Sequence, residues 1–574
     1  MQKTYAKNLC KLALASAALL LTATQGYSQT EQLPYQYQLY QKFNADVYSV
    51  KNTAHTALKP LFIDSTLQQR YNELMDLNKR HEKWFAEGIF TMHKSWAGRK
   101  LFDEHLIQVN DKDYTFYFDV LSENILGHDL KESSAEAHSA YPNDKTITFA
   151  PFGAILKSRI GLNTRGFQLG GTIGKKFSFY TSGYENQAKF ARYYDQEING
   201  TGIVPGQAFD RKFGRARTKD WSYVTAVMSY MPIKELTLTL GQDKTFIGDG
   251  YRSLFLSDYA SNYPLFRATV NLGPFQYMAM WAYMQDYKAT RFDSFGATRR
   301  KWAAFHYLDW NITNRVSLGL FNAYMAAEAD VNGEGAGFDV NYFNPLFFSS
   351  SIGPSKQPGN SIAGISGKYK FIDKNAIYGQ LVIDRFKASD FFNSKNGDNT
   401  NGWQLGVRGA DLFGVRNLNY LAEYNTVKPY TYSHPDGFTT FTQLGEPLAH
   451  PYGANFREIL GILNYTIGNF DFQGQVIHAK YGLDASGTDA LNYGKDINKP
   501  FTPAQGATTS VGQGISTTMQ YAEGTISYMV NPKYNLRLEV GALYRHEKNA
   551  LATNNTMLLT LGIRSSFRNL YHDF

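Results

Sequence analysis

The sequence is poor in the features that usually announce a function. It has one cysteine, Cys10, which precedes an apolar run, so beyond the N-terminus a disulfide scaffold and a thiolate metal site are both excluded. After residue 28 no apolar stretch reaches the 18 or so residues of a membrane-crossing helix. No Lys/Arg cluster occurs, which argues against nucleic acid as a partner. HExxH, GxSxG and a phosphate-cradling glycine loop are all missing, and the twelve His residues are scattered. The expectation is a chain with no catalytic residues, cofactor or metal. Linkers rich in Pro or Ser are also missing, which favours one large structure over several small domains.

What is present begins with Lys3, Lys7 and Lys11, an apolar run from Leu12 to Leu21, and then Gly26 and Ser28 placed for cleavage before Gln29. This is the pattern of a secretory signal peptide over residues 1–28. A lipid anchor on Cys10 is rejected, because a lipid-modified Cys follows such a run. Loss of three lysines and no acid takes the formal charge from +8 to +5 (8 − 3), a mild surplus over so long a chain.

Beyond Asp113, strand-length segments with a period of two dominate. In YNLRLEVGALYRH, Leu536, Leu538, Val540, Ala542 and Tyr544 share one face, and Asn535, Arg537, Glu539, Gly541 and Arg545 share the other. LTLTLG and LNYLAEYN repeat the pattern, the latter with Glu423 on its polar face. A soluble sandwich turns the polar face to water; an outer-membrane barrel turns the apolar face to lipid and the polar face to the lumen. Alternation cannot separate these, but connection lengths can. About eighteen strands are expected from Thr115 onward. Those of even number are followed by short connections such as NLGP, IDKN and TIGN, and nearly all of odd number by long ones such as Asp249–Pro264 and Pro429–Glu458. That parity predicts an all-β antiparallel transmembrane barrel of about 18 strands over residues 114–574, in the outer membrane of a Gram-negative bacterium. The final residue, Phe574, is expected on the last strand as a targeting signal for the barrel-assembly machinery.

Residues 29–113 differ. Ser65 and Gln68 suit a capping box, Leu67, Tyr71, Leu74 and Leu77 follow at helical spacing, and Trp84–Leu106 is a second helical stretch. A small helical periplasmic region is expected, packed under or into the barrel mouth because its apolar stripe needs a partner; a free periplasmic domain is the alternative.

Tyrosines lie in or beside the long loops: Tyr184, Tyr193, Tyr194, Tyr251, Tyr259, Tyr263, Tyr430, Tyr432 and Tyr452. Flat aromatic faces beside Asp, Asn and Arg suit sugar rings, although outer-membrane loops are also aromatic simply because they pack on one another.

One loop segment, FIGDGYRSLFLSDYASNYPLF, resembles part of the Wzi-like capsule-assembly family of outer-membrane barrels, which includes the gliding-motility-associated RemB-type proteins. NTRGFQLGGTIGKKFSFYTSGYENQ (163–187), IVPGQ (203–207), YFNPLFFSS (342–350), GNSIAGISGKYKF (359–371) and YGQLVIDRF (378–386) follow the same family order, and the sequence looks nearer to the RemB-type branch. The resemblance implies an eighteen-stranded barrel with a periplasmic helical bundle and binding of capsular polysaccharide, or in the RemB-type branch a part in surface motility. Arg385 stands where the family pattern leads one to expect an acid, which puts Asp384 in doubt as a transferred site.

Asp249, Tyr251, Arg252, Asp258, Tyr259 and Tyr263 are therefore the candidate residues. They serve either a glycan site or a loop folded inward to constrict the pore, with Arg252 paired to Asp258 and Tyr251 packed on Tyr263. Three function classes follow: a polysaccharide-binding and assembly barrel with surface polysaccharide and outer-membrane lipid as partners, a diffusion porin, and a structural part of a motility or secretion complex.

Overall fold

The computed structural model of the protein describes residues 31–63, 65–75, 95–132, 147–148, 157–158, 160–212, 216–286, 299–330, 332, 359–385, 399–485, 491–500 and 510–574. The expected signal peptide, residues 84–94 of the Trp84–Leu106 stretch and YFNPLFFSS lie outside the described residues, and the described remainder of that stretch holds a helix, Trp96–Phe102.

Eighteen long strands form the wall. They are β1 Tyr114–Asp129, β2 Ile160–Ile173, β3 Phe177–Lys189, β4 Lys219–Ile233, β5 Leu236–Asp243, β6 Tyr263–Leu272, β7 Phe275–Gln285, β8 Arg300–Asn311 and β9 Val316–Ala327. The series continues with β10 Asn360–Ile372, β11 Asn375–Arg385, β12 Thr400–Gly409, β13 Leu418–Val427, β14 Phe456–Ile467, β15 Phe470–Leu483, β16 Ile515–Asn531, β17 Leu536–Lys548 and β18 Thr553–Ser565. Each pairs antiparallel with its sequence neighbours, and Leu558–Ile563 of β18 pairs with Asn124–Asp129 of β1 to close the barrel. The remaining edge of β1 is filled by a short strand, Ile107–Asn110. Closure leaves no free sheet edge, which is the condition for strands to cross a bilayer.

The alternation runs opposite to that of a water-soluble protein. On β17, Leu538 and Val540 are 48% and 53% exposed, while Arg537 is 2% exposed. On β13, Asn419, Glu423 and Asn425 are buried, and on β5 so are Thr237 and Thr239, whereas Leu240 points outward and is exposed. Apolar side chains outside and charges inside is the arrangement of a barrel in lipid. Near the short turns the outer face carries aromatic pairs, Phe275 on Trp310 and Phe470 on Phe472, which suit the membrane–water boundary.

Connections obey the expected parity. The turns after β2, β4, β6, β10 and β14 occupy only 174–176, 234–235, 273–274, 373–374 and 468–469, whereas 190–218, 244–262 and 428–455 join odd strands to even ones. The 549–552 connection after β17 is the short exception. Short turns mark the periplasmic end and long loops the outer end.

The lumen is filled from three directions. Residues 31–63 lie at the short-turn end, where Ser49 Oγ and the Val50 N–H donate to Asp373, each at 2.9 Å, and Lys42 pairs with Asp471 at 2.7 Å. The helix Ser65–Met75 buries Leu67 and Leu74 with Phe43, Tyr48 and Ile63, against Ala376 of the wall; Gln68 Nε2 donates to Asn72. The 244–262 loop descends from the outer end, and Phe246–Ile247 pairs with Leu58–Lys59 inside the barrel.

The third direction corrects an expectation. Phe574 is not on the last strand: β18 ends at Ser565, and residues 566–574 turn into the lumen. SFRNLYHDF breaks the two-residue alternation, and its charges find buried partners there, Arg568 with Glu123 at 2.6 Å and Asp573 with Arg252 at 3.1 Å. The Phe574 ring lies 4.9 Å from that of Tyr194.

A lipid-facing wall predicts that Val540→Arg, near the middle of β17, lowers stability by about 2–4 kcal/mol in denaturant unfolding from vesicles. A loss within about 0.5 kcal/mol, usual where a side chain meets water, would contradict it.

Candidate functional site

The 244–262 loop descends into the barrel and returns, its two arms bridged at Ile247 and Leu256, and its residues meet different neighbours at each level. Gly250 permits the closest approach to the wall: a Cβ there would lie 2.2 Å from Glu423 Oε2. Without that side chain, the Tyr251 and Arg252 N–H groups donate to the Glu423 carboxylate at 3.1 and 3.3 Å. Gly364 on β10 does the same for Phe255, which stacks on Phe321 with ring centroids 4.8 Å apart.

Deepest is Asp249. It accepts from Tyr48 Oη at 2.8 Å and Thr56 Oγ1 at 2.5 Å, and Lys368 Nζ is 3.7 Å away. Burial pushes its pKa up, but the Lys368 and Lys59 charges and the two hydroxyls outweigh that and hold it at about 2. Arg252 comes next, 2% exposed, and its Nη2 reaches Glu458 Oε1 at 3.2 Å, Asp573 Oδ2 at 3.1 Å and the Asp573 carbonyl at 2.9 Å. Burial disfavours the guanidinium charge, yet the two carboxylates raise its pKa above the ordinary arginine value. Tyr251 Oη donates to Asp573 at 2.9 Å. Glu458 also meets His450 Nε2 at 2.8 Å. The Tyr452 N–H donates to His450 Nδ1, so the proton sits on Nε2 and points at Glu458. Burial keeps this imidazole neutral, with a pKa lowered to about 4.

The expected Arg252–Asp258 pair does not form. The loop doubles back, with Ile247 bridged antiparallel to Leu256, but Arg252 near its tip meets wall and tail carboxylates, while Asp258 accepts from Asn569 Nδ2 at 2.7 Å. Tyr251 packs edge-on against Tyr37 at 4.8 Å; Tyr263, also buried, begins β6 opposite Asp243. Asp384 accepts from the Tyr432 N–H at 2.9 Å, and Arg385 donates to the Tyr430 and Ser433 carbonyls, so together they tie the 428–455 loop to the wall.

Tyr259 is the member of the six that reaches the outer mouth. There it joins Tyr193, Tyr452, Tyr481 and Phe574 around a pocket of about 310 Å³ that also exposes Glu197, Lys495, Arg545 and Glu547. Lys495 Nζ lies 5.3 Å from the Tyr481 ring centroid and donates to the Tyr452 carbonyl; burial lowers its pKa. The Arg545 guanidinium sits 4.6 Å over Tyr193. Glu446 fixes this floor by accepting from the Gly206 N–H at 2.7 Å and from Ser261 N–H and Oγ at 2.8 and 2.7 Å, joining three long loops. Sequence reasoning found Tyr193, Tyr259 and Tyr452 as loop aromatics. It missed Tyr481, Lys495, Arg545 and the tail, whose only sequence signal is the loss of alternation after Ser565.

Among solved structures, the chain is similar to Wzi of Escherichia coli, an outer-membrane protein involved in group 1 capsule assembly and described as a carbohydrate-binding β-barrel. The two share 14% identity over 93% of this chain and 99% of that one, with a TM-score of 0.51. OprD of Pseudomonas aeruginosa (11% identity, 78% and 94% covered, TM-score 0.39) and OccAB2 of Acinetobacter baumannii (11%, 78% and 97%, 0.40) are more distant. No family model and no curated relative matches the sequence. The likeness to Wzi shows a shared fold: a closed 18-strand barrel like those of Gram-negative outer-membrane proteins.

Two outcomes are expected at this site. Arg252→Met leaves Glu458 and Asp573 buried without their cation and costs about 3–5 kcal/mol in unfolding; a loss under about 1 kcal/mol would show that the cluster is not a fastening. Asp249 has a depressed folded pKa, so its contribution is present above the unfolded value near 3.9 and fades as pH falls through about 2. The stability gap between the parent and Asp249→Asn should shrink by about 2–3 kcal/mol from pH 5 to pH 2, and a gap independent of pH would contradict the assignment.

Proposed function

We propose that the barrel binds surface polysaccharide at its outer pocket and helps to hold or assemble it at the cell surface, without making or breaking bonds. The observation that carries this reading is the pocket itself. Its lining sets the aromatic side chains of Tyr193, Tyr259, Tyr452, Tyr481 and Phe574 beside Lys495, Glu197 and Arg545, which supply donors and acceptors for ring hydroxyls. A volume of about 310 Å³ falls at the lower end of ligand sites, about 300–1,000 Å³. The pocket opens on the long-loop side, where a capsule would lie, and its floor is the pinned loop and tail. The fold shared with a carbohydrate-binding barrel supports the reading, and the ordered segments of sequence resemblance add the motility-associated branch as the nearer relation.

Polysaccharide isolated from the parent strain should bind the purified barrel, and Lys495→Ala and Glu197→Ala should each weaken binding roughly tenfold, equivalent to about 1.4 kcal/mol. Heat-shifted gel mobility checks that both variants are folded. In cells, deletion of the gene should move polysaccharide from the cell-bound to the shed fraction at constant total. Unchanged affinity in folded variants, together with unchanged retention, would overturn the proposal.

A further inference from the structure

The described part of the lumen is not solid. Below the outer pocket, and behind Tyr193, lies a second space of about 160 Å³. Gln475, Glu523, Arg537 and Glu539 from β15 to β17 line one part of it, beside the apolar Ile125, Ile160, Leu162 and Leu558 of β1, β2 and β18. Three groups that line it, Tyr37 Oη, Arg537 Nη1 and Asp573 Oδ1, are buried and have no hydrogen-bond partner in the protein. A buried polar atom left unsatisfied costs about 1–3 kcal/mol, so this lining suits a polar occupant. A third, smaller cleft of about 20 Å³ continues toward the short-turn end and shares Gln38, Gln473 and Thr525 with the second. It reaches Thr466 and Asp471, on either side of the β14–β15 turn.

The three spaces therefore lie in sequence along one wall, from the outer mouth to the periplasmic turns. Between the first and second stands the tail with Tyr193: His572 and Asp573 line the inner space, Phe574 lines the outer pocket, and Tyr193 borders both. This partition lies outside the ladder of the wall, since the β18–β1 pairing that closes the barrel is complete by Ile563. It is held by side-chain links: Arg568 to Glu123, Asp573 to Arg252, and Tyr193 Oη to the His572 carbonyl at 2.9 Å.

We infer that residues 566–574 are the gate of a conduit for small hydrophilic solutes and ions, running along β15–β17 beneath the glycan pocket. Because both signs of charge line the route, it passes ions of either sign. The inference is separate from glycan binding: a barrel that binds polysaccharide and never conducts would defeat this proposal alone.

The test is current across planar bilayers in potassium chloride, with the full chain, a chain ending at Ser566, and the double variant Asp573→Ala/Phe574→Ala. The full chain should show no steady current, and the other two a steady ohmic one. The double variant keeps the chain length, so it carries the test if the shortened chain does not fold. Heat-shifted gel mobility establishes folding for each. Silence from a folded variant would overturn the gate, as would a full chain that already conducts as much as the variants.

Discussion

The interior is organised around one buried cation. Arg252 comes from a loop, Glu458 from the wall and Asp573 from the tail, and the guanidinium binds both carboxylates at once. Burying a charge costs several kcal/mol, a penalty offset only when the partners are close and further hydrogen bonds saturate them. Here Glu423, His450, Asn425 and Gln475 supply those further hydrogen bonds, and Asp573 Oδ1 is left without a partner beside the inner space. Removing Arg252 would strand charge in the other two segments, whereas removing either carboxylate leaves the guanidinium paired with the remaining one. That dependence lets three chain segments distant in sequence share one lumen in one arrangement.

The constraint extends to the surface. With Arg252 and Asp249 fixed, the loop climbs the barrel axis and delivers Tyr259 to the outer mouth; with His450 held against Glu458, Tyr452 arrives beside it. The aromatic pocket therefore stands on a floor of interlocked loops. A binding site built this way is positioned before its ligand arrives, which reduces the ordering cost of binding.

Much of the architecture was legible in the sequence because a barrel writes itself at two scales. The period of two gave the strands, and the parity of connection lengths separated a membrane barrel from a sandwich, as the exposed Leu538 and Val540 and the buried Arg537 bear out. The six candidate residues were recognisable as a group, but their partners were not. Arg252 was assigned to Asp258 because the two are near in sequence, whereas the structure pairs it with residues 206 and 321 positions away. Phe574 is expected on the last strand because it is a terminal aromatic, whereas that strand stops at Ser565. Long-range ion pairing has no local signature, so the filling of a lumen is harder to read than its wall.

The 244–262 loop and the 566–574 segment are part of the folded interior. Amide hydrogen exchange on the barrel in lipid, resolved by peptide, tests this most directly, because protection reports the free energy of local opening. Both segments should exchange as slowly as the wall strands, and both should accelerate together when Arg252 is replaced. Fast exchange of either segment in the parent protein, at the rate of an open surface loop, would contradict it.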